Sequence, residues 1–274
     1  MVGGVPEFEV RDWKDFVETS VKFEIGAPLE RSYIFRGQAR ADWPLQPSLV
    51  RHAIEAGLNA EKVLKIEKAA MKYFQTQAHL YLPAARTEKR EDLVSWWTFM
   101  QHYGAPTRLL DWTGSIFVAA YFAVEQQLDE PGAMWIIFPH FFGEFRKEKY
   151  LKAEFPAYPE AQPPMFLAPD APPILYFVEQ RIQTDRMSAQ QTSFTVSTQV
   201  LANHGQIIAE ALPEDRPDRF ARKLIIPAQL KREFLLRLRE MNITARALFP
   251  GVDGFGRSSA ELIKLAMYVE QAPK

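Results

Sequence analysis

The chain has 274 residues, with 33 Lys or Arg against 34 Asp or Glu, a formal net charge of −1, and 47% hydrophobic residues. That is the make-up of a globular protein with a substantial core, and it offers no basic footprint for long-range attraction to nucleic acid or an anionic membrane. The lack of cysteine excludes disulfides, thiol catalysis and thiolate metal sites and fits a reducing compartment.

A short helix is expected over Asp12–Phe23, leading into a strand at Ser32–Arg36. Val63, Ile66, Ala70, Tyr73, Phe74 and Gln77 recur at three- and four-residue spacing and predict a helix over Ala60–His79 with one apolar stripe. Arg86–Asp92 reads as a charged surface turn, and Leu93–Tyr103 as an aromatic-rich helix stopped near Gly104 and Pro106. Thr113–Gln127 is apolar almost all round, as a central buried helix is, with Asp111 or Thr113 as its natural N-cap. Pro131-Gly132 marks a turn before a strand at Met134–Phe138. Dense proline between Glu154 and Pro173 reads as a loop packed over the domain. Strands are expected at Ile174–Val178, Ser193–Ser197, Gln206–Ala211 and Lys223–Ile226. An amphipathic helix follows at Pro227–Met241, then a turn segment at Leu248–Gly256 and a last helix at Ser258–Val269. No linker divides the chain, so the expected fold is a single mixed α+β domain over residues 1–274, helical in its N-terminal half and strand-rich in its C-terminal half.

MVGGVPEFEVRDWKDF has no signal-peptide pattern, and no apolar run reaches the ~18 residues of a membrane span. A cytoplasmic protein with no membrane partner is the expectation. Phosphate-binding loops, dinucleotide fingerprints, zinc-hydrolase motifs and nucleophile elbows are all missing from the sequence. The five histidines show no metal-ligand spacing.

Scattered polar residues beside aromatics remain as candidates. Arg36 stands where a short apolar strand ends, and its rigid guanidinium fork suits a phosphate or carboxylate; equally, it would pair with a buried acid such as Asp111. Asp111 reads as a helix cap worth roughly 1 kcal/mol or as a general base orienting a hydroxyl. His102 and Tyr103 would face an aromatic ligand or sit satisfied in the core, and Trp112 is core or a stacking wall. Gln190 and Gln191 precede a strand, and Arg40, Arg181 and Arg186 are basic companions of an anionic pocket or simply solvated surface.

Phe35-Arg36-Gly37-Gln38 with Trp43-Pro44-Leu45 resembles the signature of the FRG domain family. The resemblance continues through His102-Tyr103-Gly104-Ala105-Pro106-Thr107-Arg108-Leu109-Leu110-Asp111-Trp112-Thr113. It extends to Arg186, Gln190, Gln191 and Phe194, and to Leu248-Phe249-Pro250 with Asp253-Gly254. These pieces span residues 32 to 254. One departure is Thr192, which stands where the family carries a glycine after the Gln-Gln pair. A second resemblance is to ADP-ribosyltransferases, which hold NAD with an arginine at the end of a first strand. Arg36-Gly37 fits that position, and Asp111-Trp112-Thr113 before Ala119, Ala120, Phe122 and Ala123 is similar to their second motif. Their third element, a strand-borne acid, is not matched: Gln190 or Gln191 stands there, and the nearest acid on an expected strand is Glu210.

The resemblance implies a split-sheet fold with NAD as substrate. It implies a bacterial toxin or antiphage effector that modifies a nucleic acid or protein target, with an antitoxin or regulator as a further partner. Arg36, Gly37, His102, Tyr103, Thr107, Arg108, Trp112 and Thr113 would hold the dinucleotide, and Asp111, Gln190 and Gln191 would address the reacting hydroxyls. No metal is implied. The alternatives are a non-catalytic nucleotide-, RNA- or partner-binding module and a metal-dependent nuclease, which needs clustered carboxylates beyond Asp111 and Asp253.

Overall fold

The computed structural model describes residues 4–24, 33–81, 93–150, 164–179 and 184–271. Arg181 and the charged turn at Arg86–Asp92 lie outside them, as does the first half of the proline-rich stretch, residues 154–163; the second half holds a one-turn helix at Pro164–Leu167. In chain order the elements are β1 (Glu7–Glu9), α1 (Trp13–Glu24), β2 (Ile34–Gln38), α2 (Ser48–Glu55), α3 (Ala60–Ala78) and α4 (Leu93–His102). They continue with β3 (Leu109–Thr113), α5 (Ile116–Val124), β4 (Gly132–Ile137), α6 (Pro139–Tyr150), α7 (Pro164–Leu167), β5 (Leu175–Glu179) and α8 (Asp185–Ala189). The chain closes with β6 (Thr192–Ser197), α9 (His204–Ala211), β7 (Ala221–Ile226), α10 (Ala228–Glu240), α11 (Ala245–Leu248) and α12 (Val252–Gln271).

The strands form one mixed sheet in the order β1-β7-β4-β2-β3-β6-β5, with β1 parallel to β7 and the other pairs antiparallel. Its joints are unequal. β2 pairs with β4 over five residues, from Ile34↔Ile137 to Gln38↔Ala133, and β3 pairs with β6 from Leu109↔Val196 to Thr113↔Thr192. Between β2 and β3 the register holds a single pair, Phe35↔Thr113. Beyond that rung the strands part, and the sheet behaves as a four-stranded and a three-stranded piece.

Side chains alternate between the two faces of a strand, and helices cover both faces here. On one face Phe35, Met134, Ile136, Leu224 and Ile226 pack with α1, α5 and α10, while Leu109, Phe194 and Val196 pack under α3 and α4. On the other, Leu110, Trp112, Trp135 and Ile137 meet α6 and α9. Helix α5 is buried as its sequence demands, and it lies against β2 backbone to backbone. A Cβ built on Gly37 would stand 2.0 Å from the Ala119 carbonyl oxygen and 2.6 Å from the Ala123 nitrogen. The Arg-Gly pair therefore ends in glycine because a helix occupies the space a side chain would need.

The α+β class is as expected, but strands come from both halves of the chain, so the helical half and strand-rich half dissolve into one interleaved topology. Three local readings change. Asp111, Trp112 and Thr113 belong to strand β3, where Asp111 pairs with Phe194; Ser115 caps α5, its hydroxyl accepting from the Val118 amide at 3.4 Å. Residues 206–211 are helical, because the Asn203 side chain accepts from the Gly205 amide at 2.9 Å and starts α9; Glu210 is thus borne on a helix. The Leu248–Gly256 segment holds the end of α11 and the start of α12, with Gly254 packed so closely that a Cβ would lie 1.7 Å from the Phe249 carbonyl oxygen.

Candidate functional site

A cleft of about 530 Å³ opens where β2 and β3 part, within the size range of small-molecule sites. One wall is the segment after β2, with Trp43, Pro44, Ser48 and Arg51; the facing walls come from α4, the end of α5 and α8.

Arg36 and Asp111 meet at its floor. Alternation along β2 puts Arg36 on the face of Gln38, and alternation along β3 puts Asp111 on the face of Leu109. An intact ladder would keep those faces apart. Because the sheet is open here, Arg36 Nη1 donates to the Asp111 carbonyl oxygen at 2.7 Å and lies 4.0 Å from the Asp111 carboxylate. Arg36 Nε is buried with no hydrogen-bond partner among the described residues. Burial holds the guanidinium below its ordinary pKa, opposed by Asp111 and reinforced by Arg51. The Asp111 side chain remains 54% exposed, so its carboxylate is available to a ligand.

That carboxylate is oriented from behind. Gln101 Nε2 donates to Asp111 Oδ1 at 2.7 Å, and the Thr107 hydroxyl donates to Gln101 Oε1 while accepting from the Leu109 amide at 3.2 Å. Thr107 fixes which end of the Gln101 amide faces Asp111, leaving Oδ2 toward Arg36. Thr107 itself is fully buried and acts through Gln101.

The other expected residues fall into two groups. Gly37, His102, Trp112, Thr113 and Gln190 contribute to the cleft wall. His102 Nδ1 lies 3.2 Å from the Thr184 hydroxyl. The Trp112 indole is buried in the opposite core, donating to the Thr195 hydroxyl at 2.9 Å, which in turn lies 2.9 Å from His204 Nδ1. Gln190 Nε2 is already engaged with the Leu248 carbonyl at 2.9 Å. Tyr103, Arg108 and Gln191 stand outside the wall formed by the described residues. Tyr103 packs edge-on against Phe99. Arg108, 1% exposed, forms a buried ion pair with Glu67, donates to the Phe166 carbonyl at 2.9 Å and lies over the Trp97 ring. Gln191 sits at φ 48° in the turn before β6, where its carbonyl accepts from the Gly114 amide at 3.0 Å.

Several cleft residues were not singled out as site residues from sequence: Trp43, Arg51, Gln101 and Glu125. Trp43 is 42% exposed at the rim, and Arg51 Nη1 is held by the Gln46 carbonyl at 2.7 Å. Arg186 also faces the cleft, its guanidinium 4.7 Å from the Phe249 ring centroid, with Arg257 4.2 Å from the same centroid. Burial lowers the Arg186 pKa, and Asp111 opposes that. Among the described residues no group of three or more His, Cys, Asp or Glu is placed to hold a metal ion, and no helix is long and apolar enough to cross a membrane.

The class of protein is thus an α+β fold whose seven-stranded mixed sheet holds, at the single-paired joint between β2 and β3, a cleft lined by arginines and carboxylates. Residues 31–131 match the FRG domain family, so the chain carries an FRG domain over that span. The matched stretch contains Arg36, Gly37, Gln101, Asp111 and Glu125, while Arg186, Gln190 and Leu248–Gly254 lie beyond it. No curated protein and no solved structure matches the chain.

Proposed function

We propose that the cleft binds NAD and transfers its ADP-ribosyl group to a macromolecular acceptor, with Asp111 as the charged group beside the reacting ribose. The observation that carries this reading is the meeting of Arg36 and Asp111 through the gap in the sheet, the cation to hold a diphosphate or ribose and the carboxylate left half-exposed beside it. Breaking the bond to nicotinamide builds positive charge on the ribose, which a carboxylate within the cleft stabilises. Gln190 and Gln191 take no part as charge-bearing groups, since glutamine supplies no anion and the Gln190 amide nitrogen is committed to Leu248. An effector role, as toxin or in antiphage defence, is the biological setting this chemistry fits.

Nicotinamide release from NAD, followed with purified protein in the presence of cell lysate or RNA, tests the proposal. Asp111→Asn is expected to lower turnover by about 100-fold or more while ADP-ribose still binds. A second reading, a non-catalytic nucleotide-binding module, draws on Arg36, Arg51 and Arg186 lining one cleft. It takes over if wild-type protein binds ADP-ribose but releases no nicotinamide, and if Asp111→Asn leaves that affinity unchanged.

A further inference from the structure

We infer that Glu125 is the proton acceptor of this cleft, taking the proton of the acceptor hydroxyl as it attacks the ribosyl carbon; the inference rests on the transferase reading. In that step the hydroxyl oxygen forms a bond to C1′, and the C1′–N bond breaks with its electron pair passing to the pyridinium nitrogen. Neutral nicotinamide leaves, and the hydroxyl proton moves to the Glu125 carboxylate.

Three features place this role on Glu125. It is the residue that closes α5 at its C-terminus and lines the cleft with Asp111; both carboxylates act on the Arg186 guanidinium across it. The end of a helix carries partial negative charge from its free carbonyls, which favours a neutral over an ionised carboxyl there. The strongest argument is a count of protons. Tyr121 has one hydroxyl proton and two carboxylates within reach: Glu261 Oε1, its close partner, and Glu125 Oε2 at 3.3 Å. The closer carboxylate takes that proton, and Glu261 Oε2 also accepts from the Ala245 amide at 3.4 Å. The Glu125–Tyr121 contact then becomes a hydrogen bond only when Glu125 itself carries a proton to donate. A proton arriving on Glu125 is therefore welcomed by a phenolic oxygen already in position.

The groups facing Glu125 pull in both directions. Arg257 and Lys264 of α12, Arg186 of α8 and any hydrogen bond donated by Tyr121 favour its ionised form, while burial and Glu261 favour the proton. Burial is the largest influence, and the carboxyl is held above its ordinary range. A base displaced toward neutrality accepts a proton at physiological pH better than an ordinary carboxylate does. Asp111, half-exposed beside Arg36 and oriented by Gln101, keeps the separate task of stabilising cationic charge.

The test compares wild type, Glu125→Gln and Glu261→Gln by nicotinamide release across pH, with ADP-ribose binding measured by calorimetry. Glu125→Gln is expected to lower kcat by about 100-fold or more, with KM and ADP-ribose affinity unchanged and the acidic limb of the pH profile gone. Glu261→Gln removes the neighbouring negative charge and is expected to move that limb to lower pH at an unchanged plateau. Wild-type kcat and pH profile in Glu125→Gln, or an unmoved limb in Glu261→Gln, overturns the inference while leaving the transferase reading in place. Absence of nicotinamide release by the wild type overturns both.

Discussion

Replacing Gly37 by alanine tests whether this glycine serves packing or ligand. The added methyl would stand 2.0 Å from the Ala119 oxygen, 2.6 Å from the Ala123 nitrogen and 2.9 Å from the Phe122 carbonyl carbon, where real Cβ contacts do not fall below 3.0 Å. All three atoms are helix backbone, so no side chain can swing away, and α5 must move about 1 Å off β2 to clear the oxygen. Overpacking of this kind costs ~3 kcal/mol, the upper end of the usual range, or more. At ~2 °C per kcal/mol for a chain of this size, Tm is expected to fall by about 6 °C or more. The control is Gly256→Ala, in α12 with open space around its Cβ, expected to gain up to ~1 kcal/mol in helix propensity. Thermal and urea unfolding of both variants read the difference. A Gly37→Ala protein that melts with the wild type refutes the close-approach argument and returns Gly37 to a ligand-facing role.

Glu67→Ala strands Arg108 in a dry interior and is expected to cost about 3–5 kcal/mol in urea unfolding, whereas the double variant Glu67→Leu with Arg108→Met is expected to recover much of that loss. Gln101→Leu removes the amide that orients Asp111 and the acceptor of the buried Thr107 hydroxyl. Stability should fall by about 1–3 kcal/mol, and turnover of the still-folded protein should drop on the order of tenfold to a hundredfold, read at a temperature well below its Tm so that positioning is separated from folding. His204 is buried beside Arg36, and its pKa is pushed down to about 3 by burial and then by that cation. The unfolded chain therefore binds a proton that the native state refuses between pH 6.5 and 3, and stability falls as pH drops through that window. The slope is ~1.4 kcal/mol per pH unit, read as urea midpoints at pH 7 and pH 5, and His204→Asn should flatten it.

What the sequence discloses follows the range of the forces involved. The run around Val63 and the amphipathic run after Pro227 appear as helices α3 and α10 at nearly the expected bounds, because their periodicity is local. The buried face of α3, however, carries Val63, Leu64, Glu67 and Met71, while Ile66, Ala70, Tyr73 and Gln77 of the expected stripe are exposed. Strand β3 was hidden by an ambiguity: a polar residue before an apolar run signals a cap, and Asp111 and Thr113 gave that signal while Ser115, slightly further on, does the capping. Ile207-Ile208 look like strand residues, yet Asn203 starts a helix there. At the site, Arg36 and Asp111 were visible as polar points beside apolar elements. Glu125 carries no signal of its own in the sequence, since the role inferred for it depends on Tyr121 and on Glu261, which is 136 residues away in sequence. The resemblance counted Arg108 among the groups holding the dinucleotide; a buried cation and an exposed one are written with the same letter, and its partner Glu67 sits on a helix distant in sequence.

The single rung joining β2 to β3 has a mechanical consequence. The two panels share one backbone pair there, so what spans the rest of the gap is side-chain contact, with Arg36 of one panel donating to the Asp111 carbonyl oxygen of the other at 2.7 Å. A molecule bound to the Arg36 and Asp111 side chains together would tie the two panels to each other where the backbone ladder does not.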